Sequence, residues 1–361
     1  MRVHRRGLLE ALLLAGWCPT RAQDVNRHIR SLAGNAPLQM TFKGSTAGEC
    51  RAWQRRFRAQ LDQLLGDYRP PMRWEVSEGD SREFSDHTRT SLRLAAEGLA
   101  DLPLYLLAPR GDWLGKRPAL VALHGHGPFG HDAVAGIDGT PERAQNIRDA
   151  NYDFGRQLAR KGYVVVVPCM TPFGVRLDAR EEYGGSDPCA VTFVRMQLLG
   201  RNLMSENLRD VLWSLEFLAQ QPGVDGSRIG CVGLSYGGRM TMLAAAVEPR
   251  IRVAAISGAL NVMQERIDGR YSCGAQVIPG LLQFGDVPEI AGLIAPRPAV
   301  WEVGDRDRLM VKKWIPEAWE RIERPYRALR AEDRLVMDSF DGGHRWNGAL
   351  AEPVLASVLR P

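Results

Sequence analysis

The chain has 361 residues, of which 45% are hydrophobic and 25% are charged, a composition typical of globular proteins. No apolar run approaches the roughly 20 residues that cross a bilayer, so the sequence predicts no membrane span. The net charge of +5 arises at the N-terminal end, because residues 1–70 hold 12 of the 47 Lys/Arg and only 5 of the 42 Asp/Glu. The remaining 35 basic and 37 acidic residues argue against a nucleic-acid partner.

Residues 1–22 resemble an export signal. Three arginines precede a short apolar stretch, residues 8–16. Thr20-Arg21-Ala22 then forms a small-x-small pattern, which offers a cleavage site before Gln23. We therefore expect export to the bacterial periplasm or the medium. A cytoplasmic protein with a basic tail is the alternative.

Residues 23–84 form a predicted N-terminal extension. Residues 23–45 are polar and predict irregular structure. Residues 47–65 predict an amphipathic helix that packs on the rest of the protein. Its apolar stripe consists of Trp53, Phe57, Leu61, Leu64 and Leu65.

Residues 85–361 form the predicted catalytic domain. Strands are predicted at 73–77, in the extension, and at 87–94, 102–108, 119–123, 163–167, 228–232, 251–257, 299–303 and 334–338. Helices are predicted at 151–161, 202–220, 239–247, 315–329 and 346–359. After an antiparallel start, alternating strands and helices predict an α/β fold, with a mostly parallel sheet and helices on both faces.

The stretch Gly233-Leu234-Ser235-Tyr236-Gly237-Gly238 lies between a predicted buried strand and a helix. This context gives the pattern G-x-S-x-G its chemical meaning, because a sharp turn lifts the serine hydroxyl clear of both elements. We therefore expect Ser235 to be a nucleophile. The alternative is a glycine-rich turn in which Ser235 only caps the helix.

Residues suited to assist the serine follow in the chain. Asp307 comes after a predicted strand and is the expected acid, with Asp305 as the alternative. His344 follows two glycines after the last strand and is the expected base. Nucleophile, acid and base then appear in the order Ser, Asp, His.

Backbone N–H groups are the expected donors to an oxyanion. One belongs to Tyr236, and the other to Gly125 or His126 in the loop after residues 119–123. A metal pair of His124 and His126 is the alternative, but the sequence offers no third ligand at a useful spacing. We therefore predict neither a metal nor a cofactor.

The six cysteines contain no CxxC pair. Cys231 precedes the Ser235 turn and is expected to fill the core. Cys189 and Cys273 lie in long loops near the expected active-site edge, and in an exported protein they are candidates for a disulfide.

Together, the motif around Ser235, the run His124-Gly125-His126-Gly127, Asp307 and His344 resemble the α/β-hydrolase superfamily. Within it, residues 279–281, 285–286 and 294–298 are similar to the dienelactone hydrolase and acetylxylan esterase-like branch. The resemblance implies an eight-stranded, mostly parallel sheet and a Ser-Asp-His triad. Two features depart from it: dienelactone hydrolases carry a Cys nucleophile, and glucuronoyl esterases carry Arg at the position of Tyr236.

The expected function is hydrolysis of small or carbohydrate-linked carboxylic esters through an acyl-enzyme. The alternatives are a serine peptidase or amidase of the same fold, or a non-catalytic binding protein. Three long loops, residues 128–150, 169–200 and 258–296, are expected to border the substrate site. They carry Phe129, Phe173, Arg176, Tyr183 and Tyr271, which suit a sugar or a carboxylate but which serve equally well as loop-packing residues.

Overall fold

The computed structural model describes residues 24–111, 115–177, 180–268 and 272–360. The predicted export signal lies outside the described residues. The β-strands are β1 Glu75–Glu83, β2 His87–Ala95, β3 Leu102–Pro109, β4 Arg117–Leu123, β5 Val164–Pro168, β6 Val224–Leu234, β7 Ile251–Ser257, β8 Ala299–Gly304 and β9 Leu335–Phe340. The α-helices are α1 Val25–Gly34, α2 Ala47–Leu65, α3 His131–Val134, α4 Pro141–Ala150, α5 Phe154–Arg160, α6 Pro188–Leu198, α7 Leu203–Ala219, α8 Tyr236–Val247, α9 Met263–Asp268, α10 Val287–Gly292, α11 Ile315–Ala328 and α12 Ala351–Leu359.

One sheet organises the fold, with strand order β1-β2-β3-β5-β4-β6-β7-β8-β9. The pairings from β1 to β5 are antiparallel, and those from β5 to β9 are parallel. The predicted α/β class and antiparallel start are therefore confirmed. The sheet has nine strands, one more than the expected eight. Every residue of the edge strand β1 is exposed. Backbone hydrogen bonds to β2 therefore hold β1 in the sheet, and its side chains do not contribute to the hydrophobic core.

Helix α2 has the predicted bounds and packs against α10 and α11. Its buried residues are Cys50, Trp53, Phe57, Leu61 and Leu65, whereas Leu64 is only partly buried. The Thr46 hydroxyl and the Glu49 carboxylate form a capping box at its start. The Gln54 side chain donates to the carbonyl of Gly292 at 3.1 Å, which ties the extension to the domain.

The prediction of irregular structure over residues 23–45 is wrong for its first part, because Val25–Gly34 forms helix α1. Asp24 caps it by accepting a hydrogen bond from the Asn26 N–H at 3.0 Å. Val25, Ile29, Leu32 and Ala33 recur at helical spacing, although only Ala33 is buried. The long loops likewise contain helices α4, α6 and α10, each with a capping residue and an early proline.

Across the described ranges, no helix is both long enough and apolar enough to span a membrane.

The strand ends bring the predicted site residues to one edge. In the parallel part of the sheet, β4, β6, β8 and β9 end just before residues 124, 235, 305 and 341 respectively. The carboxyl ends of parallel strands share an edge, and this is where α/β sheets bind ligands.

Candidate active site

Ser235 occupies a backbone conformation that few residues other than glycine adopt, with φ 63° and ψ −119°. Its N–H donates to the Ser257 carbonyl at 2.8 Å, so the turn is fastened to β7. A Cβ on Gly233 would overlap the backbone of Gly237, and a Cβ on Gly237 would overlap the Leu123 carbonyl. The two glycines are required because strand and helix crowd the serine on both sides.

The partly buried imidazole of His344 is paired with the buried carboxylate of Asp307. The His344 Nδ1 lies 2.7 Å from the Asp307 Oδ2. The other carboxylate oxygen accepts the Leu309 N–H at 2.8 Å, which fixes the orientation of the acid. Since an ionised carboxylate only accepts hydrogen bonds, Nδ1 carries the proton and Nε2 holds a free lone pair. That Nε2 is buried and has no hydrogen-bond partner among the described residues.

The loops that carry the acid and the histidine are joined by their backbones. The Asp305 N–H donates to the Phe340 carbonyl at 2.9 Å, and the Arg306 N–H donates to the Gly342 carbonyl at 2.8 Å. Asp305 itself is exposed, whereas Asp307 is buried. Of the two acids suggested by the sequence, Asp307 is therefore the one that meets His344.

A second glycine contact positions the histidine. Gly258 follows β7 with φ 60°, and a Cβ there would lie 2.7 Å from the His344 Cε1. This role of Gly258 was not predictable, because it depends on the packing of two chain segments that are distant in the sequence.

Ser235 and His344 line the same cavity, which has a volume of about 270 Å³. Its other lining residues are His126, Asp187, Arg239, Gly258, Ala259, Arg266, Cys273, Gln276 and Leu309. Polar and charged side chains stand among apolar surface in this wall, which borders the hydroxyl and the imidazole together. Such a cavity suits a small substituent with oxygen atoms.

The two predicted oxyanion donors of the β4 loop differ in their contacts. The Gly125 N–H donates to the Tyr152 hydroxyl at 2.7 Å. A Cβ on Gly125 would lie 2.8 Å from the Ser235 Cβ, so this loop passes directly beside the serine. His126 is exposed and lines the cavity. Tyr236, which supplies the other predicted donor, follows the serine at the start of α8.

His124 is not a partner of His126 in a metal pair. It is fully buried, its Nδ1 lies 2.8 Å from the Gly125 carbonyl, and its Nε2 accepts the Met170 N–H at 2.9 Å. Both ring nitrogens are therefore hydrogen-bonded to backbone groups and are not available to a metal ion. Burial lowers the pKa of His124 to about 3, so this imidazole is neutral.

Cys189 and Cys273 are both free thiols rather than a disulfide. The His126 Nε2 lies 2.7 Å from the Cys273 Sγ. A hydrogen bond from Cys189, with the nearby His126, lowers the pKa of Cys273 to about 5. The same contact and burial raise the pKa of Cys189. The prediction of a buried filler is confirmed for Cys231, which is fully buried.

Arg239 is a buried cation in the cavity wall, with 3% of its surface exposed. It donates to the Asn261 side chain through Nη2, while its Nε and Nη1 have no hydrogen-bond partner among the described residues. Burial lowers its pKa to about 10, which still leaves it charged at neutral pH. Sequence reasoning missed it, because arginine on an Ala- and Met-rich helix gives no signal of its depth.

The aromatic and arginine residues noted in the loops lie away from this cavity wall. Phe173 packs against His126 and Tyr236, and the Arg176 guanidinium pairs with the Asp210 carboxylate. Phe129 stacks with Arg143, and Tyr183 is buried. The loop-packing interpretation therefore fits these four, and Tyr271 lies outside the described residues.

Comparison with known proteins supports the same fold. The model of the dienelactone hydrolase family matches residues 143–268, a segment that includes Ser235 but neither Asp307 nor His344. The chain is 28% identical over 302 residues to YtaP of Bacillus subtilis (strain 168). The name of that relative assigns it as a hydrolase and gives no substrate. That match covers 80% of this chain and 92% of the relative.

Solved structures with the same fold include several esterases. A protein from Bacteroides fragilis, assigned as an acetyl xylan esterase, has a TM-score of 0.74 at 16% identity and covers 89% of this chain and 83% of its own. A glucuronoyl esterase from Teredinibacter turnerae has a TM-score of 0.60 at 18% identity, with 91% and 90% covered. Acetyl xylan esterase 1 from a Thermoanaerobacterium species has a TM-score of 0.53 at 17% identity, with 83% and 98% covered. The resemblance to the α/β-hydrolases, and to their dienelactone hydrolase and acetylxylan esterase-like branch, is thereby confirmed.

Proposed function

We propose that this protein is a serine carboxylic-ester hydrolase that works through an acyl-enzyme and acts on small or carbohydrate-linked esters. One observation carries the proposal. Ser235, on its strained turn, lines the same cavity as His344, whose Nδ1 lies 2.7 Å from the buried Asp307 carboxylate. This arrangement supplies a nucleophile, a base and an orienting acid.

Acylation begins when the Ser235 hydroxyl attacks the ester carbonyl. The His344 Nε2 takes the hydroxyl proton, and Asp307 stabilises the resulting imidazolium through Nδ1–H. The histidine then passes that proton to the leaving alcohol. The lone pair needed for the first transfer is available, because Asp307 holds the proton of His344 on Nδ1.

The oxyanion formed on the carbonyl is stabilised by two backbone N–H groups. We assign them to Tyr236 and His126, since the Gly125 N–H already donates to the Tyr152 hydroxyl. Tyr236 begins α8, so the positive end of the helix dipole faces the developing negative charge.

Deacylation repeats the same steps with water. His344 takes a proton from water, which attacks the acyl carbonyl and breaks the bond to the Ser235 oxygen. The histidine returns the proton to the serine, and the carboxylic acid leaves.

The cavity supports a substrate rich in oxygen atoms. The Nε and Nη1 of Arg239 are donors without partners among the described residues, and Arg266 lines the same wall. Sugar hydroxyls or a carboxylate would accept from such a guanidinium. The esterases that share this fold, two of which carry acetyl xylan in their names, are consistent with a carbohydrate ester.

A substrate panel on the purified protein tests the proposal. It comprises short p-nitrophenyl esters, acetylated xylan, a methyl glucuronate ester, a lactone and a dipeptide amide. We expect turnover of esters and preference for acetylated sugars over the methyl glucuronate. Cleavage of the amide alone would point instead to a peptidase, and no cleavage at all to a binding protein.

We also propose that the protein is exported, on the basis of the basic and apolar pattern of residues 1–22. N-terminal sequencing of protein recovered from the native cells tests this. A mature chain that starts at Gln23 supports export, whereas one that retains residues 1–22 contradicts it.

A further inference from the structure

Three side chains with metal-ligating atoms meet beside the Ser235 cavity. The ring nitrogen of His126 and the thiol sulfurs of Cys189 and Cys273 all lie within 4.8 Å of one another. They are far apart in the sequence, in the loops that follow β4, β5 and β7. Within the described ranges, no other group of three His, Cys, Asp or Glu side chains reaches this proximity.

The segments that carry the two cysteines are packed closely. A Cβ on Gly274 would overlap the Phe193 Cβ and would lie 3.0 Å from the Cys189 carbonyl oxygen. Helix α6 therefore touches the turn that follows Cys273, and only glycine allows this approach. The Cys189 N–H donates to the Asp187 Oδ1 at 2.9 Å, which fixes the start of that helix.

The three ligand atoms favour some metal ions over others. Two sulfurs and one imidazole nitrogen suit Zn²⁺, whereas Mg²⁺ and Ca²⁺ prefer oxygen ligands. Cys189 and Cys273 are buried, which shields the sulfurs, whereas His126 is exposed and lines the cavity. An ion held there would be within reach of a water or a substrate oxygen from the cavity side.

We propose that the His126 Nε2, the Cys189 Sγ and the Cys273 Sγ bind one Zn²⁺ ion. The ion takes its fourth ligand from the cavity, as zinc sites with three protein ligands do. Because the three ligands follow three different strands, bound zinc also links the three chain segments that border the substrate site. This proposal does not rest on the proposed hydrolysis, since none of the ligand atoms takes part in the acyl transfer.

The other described cysteines provide matched controls. The Cys50 thiol lies 3.7 Å from the Pro325 carbonyl, the Cys169 thiol lies 3.1 Å from the Phe173 carbonyl, and the Cys231 thiol lies 3.5 Å from the Thr241 hydroxyl. All three are buried and belong to no such cluster. Replacing one of them tests the loss of a thiol without the loss of a ligand.

Zinc binding is measured on the full chain after reduction with a phosphine and removal of metal by a chelator. Zn²⁺ is titrated against a chromogenic chelator, and Co²⁺ is added separately to record thiolate-to-cobalt absorption. We expect about one Zn²⁺ per chain and a thiolate-rich cobalt spectrum, with affinity lowered at least about 100-fold in Cys189→Ser and Cys273→Ser. Cys231→Ala and Ser235→Ala should both bind zinc like the unaltered chain, so a failed hydrolase proposal leaves this result unchanged.

A second measurement needs no variant. Zn²⁺ should protect Cys189 and Cys273 of the unaltered chain from alkylation and raise its melting temperature, whereas Mg²⁺ should do neither. The proposal is overturned if zinc does not bind or if both Cys→Ser variants retain full affinity. It is also overturned if the unreduced protein carries a Cys189–Cys273 disulfide by peptide mass.

Discussion

The backbone N–H of Gly125 donates a hydrogen bond to the hydroxyl of Tyr152, with 2.7 Å between nitrogen and oxygen. Tyr152 is buried, and Gly125 lies against Ser235. The hydroxyl therefore holds the loop that carries His126 beside Ser235.

Tyr152→Phe removes this acceptor and leaves the Gly125 N–H buried without a partner. We expect a loss of stability of about 1–3 kcal/mol, from denaturant unfolding, because an unpaired buried N–H carries that cost. We also expect kcat to fall by about tenfold, since the neighbouring N–H of His126 moves away from the oxyanion. Tyr163→Phe is the matched control, because the Tyr163 hydroxyl has no partner among the described residues. Equal kcat values in the two variants would contradict the assignment.

The choice between the two acids is tested by a pair of isosteric changes. Asp307→Asn removes the carboxylate that orients His344, and we expect kcat to fall by about 10⁴-fold. Asp305→Asn, two residues away on an exposed position, should retain nearly full activity. Steady-state kinetics on a p-nitrophenyl ester decides between them, and the reverse ranking would assign the role to Asp305.

Gly258 tests whether packing positions the histidine. In Gly258→Ala, the new Cβ would strike the His344 ring and would adopt a left-handed backbone, so we expect kcat to fall by about 10–100-fold. Gly343→Ala is the control, because a Cβ on Gly343 meets nothing within 4 Å even though it adjoins His344. If both variants were fully active, the contact with Gly258 would not matter.

The stability of the fold should depend on pH through Glu302. Burial raises the pKa of this carboxyl to about 7, with Asp338 contributing, against the lowering effect of the Asn347 and Gly348 N–H groups. The folded state then binds a proton that the unfolded state has released, so the free energy of unfolding falls as pH rises from 4.5 to about 7. The loss is up to about 3 kcal/mol. Glu302→Gln should flatten this part of the curve in denaturant titrations, and an unchanged slope would contradict the assignment.

Arg239 tests the substrate class. In Arg239→Met, esters of oxygen-rich sugars lose a charged donor, and we expect their KM to rise by about tenfold. Hydrolysis of p-nitrophenyl acetate, which has no group to reach this guanidinium, should change by less than about twofold. A matching loss on both substrates would mean that Arg239 only supports the fold.

The site residues that could be predicted from the sequence are those that lie in short motifs directly after a strand. The turn around Ser235, the acid after β8 and the histidine after β9 each follow a strand end, and parallel strand ends share an edge. The sequence left Asp305 and Asp307 both open, because the choice depends on how the loop after Gly304 bonds to the loop before His344.

Contacts between segments that are distant in the chain could not be predicted from the sequence. Tyr152 meets Gly125, Gly258 meets His344, and Cys189 approaches Cys273 only after the sheet has brought their loops together. Helix α1 was missed for a different reason: Val25, Ile29 and Leu32 have helical spacing, but polar residues outnumber apolar ones in this short segment.

The central claim is that Ser235 is a nucleophile activated by His344. A fluorophosphonate probe on the intact protein, followed by peptide mass spectrometry, tests it most directly. We expect one adduct per chain, on Ser235, and its loss in Ser235→Ala together with strongly slowed labelling in His344→Ala. No adduct on Ser235, or esterase activity preserved in Ser235→Ala, would contradict it.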